Sequence, residues 1–368
     1  MPLAPLAGHR DARHRLGEAL AADRLPQVLL VTGPVGVGKQ RLALWLAQLI
    51  FCERPTAGGE PCDACRHCRL TLDLAHPDLH WIVPIPRPKA GEPDKMVDEA
   101  AEALAAVMAE RRADPLWAVP DGMASHGIAS VRLLQRRAAL TSVEGGRKVF
   151  IIGDAERLVP QESSQEAANA LLKLLEEPPA DSTFILTATD ARRLLPTIRS
   201  RAVPLRVGRL ADAEVRSFVE SRKPGTGGAA LDARVRAAEG AIGRALGEGD
   251  GGGAAHDAAG ALLDAALGGP GGRLERALKQ NPFSARGDFS AMLDALAETM
   301  GEAARAALGE RVRRPLPPAL RQPREPEAYL AAQDSIARAR EAAAGNVNPQ
   351  LLLAVLLDEL ATELAEAR

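Results

Sequence analysis

Apolar and polar positions along the chain fall into two patterns, and the patterns alternate. Short runs without polar interruption, Val28-Leu29-Leu30-Val31, Val149-Phe150-Ile151-Ile152 and Phe184-Ile185-Leu186, have the length of single strands. They read as strands buried on both faces, as in a parallel sheet. The stretches between them carry helical spacing. Residues 8 to 25 form one such stretch, ending at Pro26, and Arg41-Leu42-Ala43-Leu44-Trp45-Leu46-Ala47 opens an amphipathic helix that runs to about Cys52. Charged helices are predicted over Asp94 to Arg112 and Ile128 to Leu140, and another over Glu166 to Glu177, where Pro178-Pro179 stops it. Strands alternating with helices predict an α/β domain over residues 1–207.

From about residue 208 the pattern is helical and alanine-rich, punctuated by glycine linkers at Pro224 to Gly228, Gly247 to Gly253 and Gly268 to Gly272. Taken alone, these helices read only as a generic bundle, ending in the amphipathic run Asn348 to Leu357. A chain of 368 residues is long enough for about two to three domains, each with its own core.

Composition narrows the class. Apolar residues at 46% and charged residues at 26% are those of a soluble globular protein. A formal charge of −2 gives no global attraction to nucleic acid, so any DNA contact must be a local patch. Aromatics at 3% argue against base-stacking platforms. No apolar run reaches membrane-spanning length and the first residues do not resemble a signal peptide, so a cytoplasmic location is expected.

The first strand leads into Gly33-Pro34-Val35-Gly36-Val37-Gly38-Lys39-Gln40. This is a phosphate-binding loop: Gly33, Gly36 and Gly38 let backbone N–H groups point inward, the next helix adds its positive end, and Lys39 supplies a charge for the outer phosphates. The following residue should be Ser or Thr, whose hydroxyl ligates the magnesium ion bridging the phosphates. Gln40, a neutral amide, is a poor replacement, so the loop is built to hold phosphate and ill equipped to split it.

Every cysteine of the chain lies between residues 52 and 68. Cys52, then a Gly- and Pro-containing knuckle, then Cys62-x-x-Cys65-x-x-Cys68 offers four thiolates for a closed tetrahedral site. In a reducing compartment such a set points to structural zinc rather than disulfides. His67, between two ligands, is expected to be a solvated surface residue. Residues 84 to 127, proline-rich and then helical, are read as an insertion without a chemical motif.

The second strand ends in Gly153-Asp154-Ala155-Glu156. ATPases of this kind carry an acidic pair here, one carboxylate near the metal and one that polarises water. Gly153 holds the first place and Asp154 the second. A third strand, Thr183 to Thr189, ends in hydroxyls at a sheet edge, where Thr189 is placed to sense a nucleotide. Beyond it come Arg199-Ser200-Arg201-Ala202, and an apparent extra segment, Val159 to Gln165, precedes the Asn169 helix.

The loop, the four-cysteine insert, the run Asn169-Ala170-Leu171-Leu172-Lys173 to Pro179, and Arg199-Ser200-Arg201 together resemble bacterial clamp-loader subunits of DNA polymerase III, of the AAA+ family. The resemblance covers roughly residues 8 to 207 well. It implies an AAA+ parallel sheet, a helical lid (208–254) and a helical collar (255–368). It also implies a heteropentamer with gamma/tau and delta subunits, acting with a sliding clamp on primed DNA, and ATP or ADP in the loop. Motor members of the family carry Thr after the loop lysine, an intact acidic pair and a sensing arginine in the lid. At the matching lid position stands Gly243, with Arg244 one step off. Three departures fall on hydrolysis while Arg201 remains. The implied role is that of a member with little or no ATPase of its own, whose Arg201 reaches a neighbour's site as an arginine finger. An active gamma/tau-type ATPase and a zinc-containing nucleic-acid module are the alternatives.

Overall fold

The structure, a computed structural model, describes residues 3, 6–89, 91–113, 124–158, 166–222, 227–246, 251–281, 288–310, 312, 315–322, 324–344 and 347–365. The extra segment read at Val159 to Gln165 lies outside them. The chain divides into two units, residues 1–246 and 247–368.

The first unit is organised on a parallel sheet. Its strands are β1 (Val28–Thr32), β2 (Leu79–Ile82), β3 (Lys148–Ile152), β4 (Ser182–Ala188) and β5 (Val203–Arg206), in the order β2-β3-β4-β1-β5. Every pairing is parallel. The three strands with unbroken apolar runs are the three interior ones, with helices covering both faces. At the centre Phe150 of β3 stacks on Phe184 of β4 with ring centroids 4.8 Å apart. Both rings are fully buried, and truncating either is worth about 3–5 kcal/mol. The edge strands β2 and β5 were not legible as strands, being four residues each and partly exposed.

Around the sheet lie α1 (Arg10–Ala21), α2 (Lys39–Phe51), α3 (Arg66–Leu72), α4 (Pro93–Ala113), α5 (Ile128–Ala139), α6 (Glu166–Glu176) and α7 (Pro196–Arg199). The helix predicted as amphipathic, α2, is instead buried on nearly all sides: Leu42 through Leu49 are all buried. Two of its buried polar groups are taken up by neighbours. Trp45 Nε1 donates to Glu60 (2.9 Å) and Gln48 Nε2 to Asp63 (2.7 Å), which joins the phosphate loop's helix to the cysteine segment.

Three further helices, α8 (Asp212–Arg222), α9 (Gly228–Ala238) and α10 (Ile242–Leu246), close on a small core of Leu210, Val215, Val219, Leu231, Val235, Ala238 and Ala245. They remain part of the first unit.

The second unit comprises α11 (Gly251–Leu267), α12 (Pro270–Leu278), α13 (Asp288–Ala307), α14 (Pro326–Ala344) and α15 (Pro349–Glu363), around Leu263, Leu293, Leu296, Met300, Ile336, Leu357 and Leu360. The Asn348 side chain caps α15, accepting from the Gln350 N–H (2.8 Å), with Pro349 in the first turn. Two of the expected glycine linkers are helical in part. Gly251 to Gly253 lie in α11, and α12 begins at Pro270, so the break around Gly268 is a two-residue junction. Alanine-rich flanks favour helix strongly enough to absorb the glycines beside them. Among the described residues no helix is long and apolar enough to cross a membrane.

Candidate nucleotide and metal sites

The loop from β1 to α2 folds back because two glycines take conformations that side chains rarely adopt: φ is 78° at Gly36 and 97° at Gly38. Gly33 is required for another reason. A Cβ there would stand 2.3 Å from the carbonyl oxygen of Val207, on the segment leaving β5. Lys39, 8% exposed, turns its ammonium inward. It donates to the carbonyls of Gly33 (2.9 Å) and Pro34 (2.8 Å) and reaches the Thr189 hydroxyl at 3.4 Å. Burial lowers its pKa, while the nearby Glu156 and Asp154 carboxylates oppose that shift.

Thr189 follows the last residue of β4. Since β4 is an interior strand, the edge where Thr189 stands is the sheet's carboxyl end, which is where open parallel sheets place ligands. Its N–H donates to Glu156 (2.9 Å), and burial raises the Glu156 pKa. Asp154 sits in a left-handed conformation (φ 50°), with its N–H bonded to the Thr187 hydroxyl at 3.2 Å. The structure therefore brings Gly33, Gly36, Gly38, Lys39, Gln40, Asp154 and Thr189 to one place.

Two departures from the ATPase pattern are one structural change. A Cβ at Gly153 would lie 2.8 Å from the Gln40 Oε1 atom, so the glycine makes the room that the longer amide fills. From there Gln40 Nε2 donates to Asp154 Oδ2 (3.0 Å), and Gln40 Oε1 accepts from Arg111 Nη1 (3.0 Å). Arg111 comes from α4, inside the stretch that carried no motif in the sequence. It is 2% exposed and lies 4.5 Å over the Trp81 ring. Burial lowers its pKa to about 10, which leaves it charged at neutral pH.

The end of the same stretch also docks here. His126 Nε2 bonds the Gly153 carbonyl at 2.7 Å, and burial lowers this imidazole to about 4, so it is neutral and donates. Magnesium demands oxygen ligands in near-octahedral array. Here the hydroxyl and the first carboxylate of the usual set are replaced, Asp154 accepts from Gln40, and a guanidinium stands alongside. These residues do not fit a magnesium ion.

The lid helices meet the loop through backbone. The Gly243 N–H donates to the Gly36 carbonyl at 3.1 Å, and a Cβ on Gly243 would approach the Gly36 Cα to 3.4 Å. The lid position thus serves as a close backbone contact. Arg244, one step on, pairs with Glu239 at 3.6 Å.

Arg201 lies between α7 and β5. Its guanidinium donates to the Thr197 carbonyl (2.8 Å) and forms an ion pair with Glu176 at the end of α6. Its side chain is 32% exposed, and Arg199 is exposed.

The cysteines converge. The Sγ atoms of Cys52, Cys62, Cys65 and Cys68 all lie within 4.8 Å of one another, and Cys62 and Cys68 are 3.9 Å apart. Thiolates at the usual ~2.3 Å from a tetrahedral zinc stand about 3.8 Å apart, so the donor set fits a metal ion. Backbone N–H groups of Ala64 and Cys65 lower the Cys62 pKa to about 6, whereas burial raises that of Cys68. His67 is not the solvated residue expected: it bonds the buried His76 (2.9 Å) and pairs with Glu53 (3.3 Å), which leaves the four sulfurs as the donors.

A phosphate loop after the first strand of a parallel β5-β1-β4-β3-β2 sheet, with a helical lid on the loop, defines an AAA+ module. The profile of the family described as DNA polymerase III, delta subunit, matches residues 8–211, more than half of the chain, and the chain belongs to that family. Among curated relatives, the DNA polymerase III subunit delta' of Bacillus subtilis is 32% identical over 190 residues, 52% of this chain and 44% of that protein. That of Pseudomonas aeruginosa is 34% identical over 175 residues, 47% and 40% respectively. The gamma/tau subunit of Mycobacterium tuberculosis is 31% identical over 200 residues, 54% of this chain and 27% of that protein. The matches therefore span less than half the length of these relatives.

Proposed function

We propose that the chain works as the delta-prime-type member of a bacterial DNA polymerase III clamp loader. In this reading it sits in a heteropentamer with gamma/tau and delta subunits, contributes rigidity and an arginine finger, and helps place a sliding clamp on primed DNA. The observation that carries it is the pocket at Gln40 and Gly153: the grip for phosphate is kept and the metal-binding half is rebuilt. Lys39 and the glycines would hold ATP or ADP. Cys52, Cys62, Cys65 and Cys68 would hold a zinc ion whose role is structural, since four protein ligands leave no open position.

Arg201 would act in trans. An arginine reaching a neighbouring site stabilises charge spreading over the transferred phosphoryl group. Its ion pair with Glu176 holds the side chain at the module's surface until a partner offers a stronger anion. Assembly has a candidate surface in α15, where Leu351 (63% exposed) and Val355 (54% exposed) stand one turn apart opposite a buried leucine face. The domain division follows the same reading, with the boundary read at 254 moved to the break before α11: an AAA+ module to 207, a lid whose helices end at Leu246, then a collar from α11 onward.

The test is reconstitution. Mixed with gamma/tau and delta subunits, the chain should enter a complex of defined stoichiometry and be required for clamp loading on primed DNA; failure to enter that complex would contradict the proposal. Likeness to gamma/tau subunits favours a second reading, an active ATPase, and magnesium-dependent turnover by the chain alone is what it requires.

A further inference from the structure

The stretch between β2 and α5 carries no recognisable motif, yet two of its described parts, the last turn of α4 and the return before α5, reach the nucleotide pocket. Helix α4 delivers Arg111 to Gln40, and the return delivers His126 to the Gly153 carbonyl. Two further contacts fix the return: Ser125 pairs antiparallel with Ile85, and Arg157 Nη1 donates to the Ala124 carbonyl at 3.0 Å. Neutral His126 adds no charge, whereas Arg111 brings one. A guanidinium on a residue only 2% exposed is costly unless its surroundings use it. Those surroundings include the Trp81 face, the Gln40 amide and, across that amide, the Asp154 carboxylate.

The place is informative. In a working site, the hydroxyl after the loop lysine and the carboxylate ending the acidic strand converge on the divalent cation. Here the two corresponding positions are Gln40 and Gly153, and what converges between them is the Gln40 side chain with a fixed cation behind it. With Lys39, Arg111 gives the pocket two positive charges against the carboxylates of Asp154 and Glu156.

We propose that Arg111 replaces the divalent cation of this pocket, so that the loop binds a nucleoside polyphosphate without magnesium. The inference rests on the reading of residues 33–40 as a phosphate loop and adds to it how charge is balanced in the absence of a metal. The stretch from β2 to α5 then has a role, since it carries a cation that cannot dissociate. A pocket so built stays in one charge state whatever the magnesium concentration, which suits a subunit that holds nucleotide without turning it over.

The probe is a fluorescent N-methylanthraniloyl-ADP, titrated against the full-length chain in EDTA and again in millimolar magnesium chloride. Affinity should be the same within about twofold in the two buffers. A gain of about tenfold or more on adding magnesium overturns the proposal. Absence of binding in both buffers also overturns it, and in a distinguishable way, because it removes the phosphate-loop reading itself. Arg111→Met, checked for native circular dichroism, should lose about tenfold or more in EDTA and recover part of that with magnesium, while Arg111→Lys, which keeps the charge but not the planar contact with Trp81, should fall between Arg111→Met and the wild type. A folded Arg111→Met with unchanged affinity in EDTA overturns the proposal as well. Should Arg111→Met fail to fold, the wild-type comparison decides alone.

Discussion

Two sites share helix α2 and treat a cation in opposite ways. At the helix's far end, Cys52, Cys62, Cys65 and Cys68 point their sulfurs at a common centre, within 4.8 Å of one another. At its near end, the Gln40 amide points one way at Asp154 and the other at Arg111. The first arrangement turns four sulfurs on a point that a cation can fill. The second has satisfied its donors internally. Whether donors converge on a shared centre or on one another separates a site that recruits a metal from one that has dispensed with it.

The largest test of this contrast is removal of a sulfur. Cys62→Ser should reduce zinc from one per chain to near none by elemental analysis. Because structural zinc supplies about 10 kcal/mol or more in peptide systems, the first unit should then melt roughly 10 °C lower or not fold. An unchanged melting temperature in a zinc-free variant would place the cysteine cluster in the same class as the altered pocket and dissolve the contrast.

Next comes the loop's grip. Gly33→Ala puts a methyl 2.3 Å from a backbone oxygen, which neither strand can yield cheaply. A loss of about 2 kcal/mol or more in denaturant unfolding is expected, along with weaker nucleotide binding. A neutral result would mean that the loop does not hold its shape in solution.

Much of this architecture could be read from the chain because the signals were local. Three interior strands were continuous apolar runs, the helix ends carried prolines, and cysteine spacing announced the four-sulfur cluster. Arg111 was invisible for the opposite reason: it is one arginine in a charged helix, 71 residues from Gln40, and only the fold brings them together. The departures at Gln40 and Gly153 were each legible, but their connection is steric and appears only when a Cβ is placed on the glycine. His67 was misjudged because its partner, His76, lies beyond the motif.

The third test concerns what the rebuilt pocket leaves to its neighbours. Arg201→Ala should leave ring assembly intact and lower ATP turnover of the assembled loader by about tenfold or more, given the roughly 10³ to 10⁵ that such arginines contribute where measured. Unchanged turnover would remove the proposed finger.

A smaller effect should appear with pH. Burial lowers His80 and His126 to about 4, against about 6.5 in an unfolded chain. Above pH 6.5 both states are neutral and nothing changes. As pH falls from about 6.5 to 4 the unfolded state takes up protons that the folded state cannot, so stability declines by about 1 kcal/mol per pH unit for each imidazole. Replacing His126 with Gln should flatten the decline of the first unit's melting temperature over that range. An equally steep decline would show that His126 is charged in the fold and does not donate to Gly153 as a neutral ring.

The central claim is that this AAA+ module keeps its hold on phosphate while its metal half is closed by Gln40. The most direct measurement is steady-state ATP hydrolysis by the purified chain in magnesium, with Lys39→Ala as control. The account predicts no turnover above that control. Magnesium-dependent hydrolysis at about 1 s⁻¹ or faster, abolished in Lys39→Ala, would contradict it.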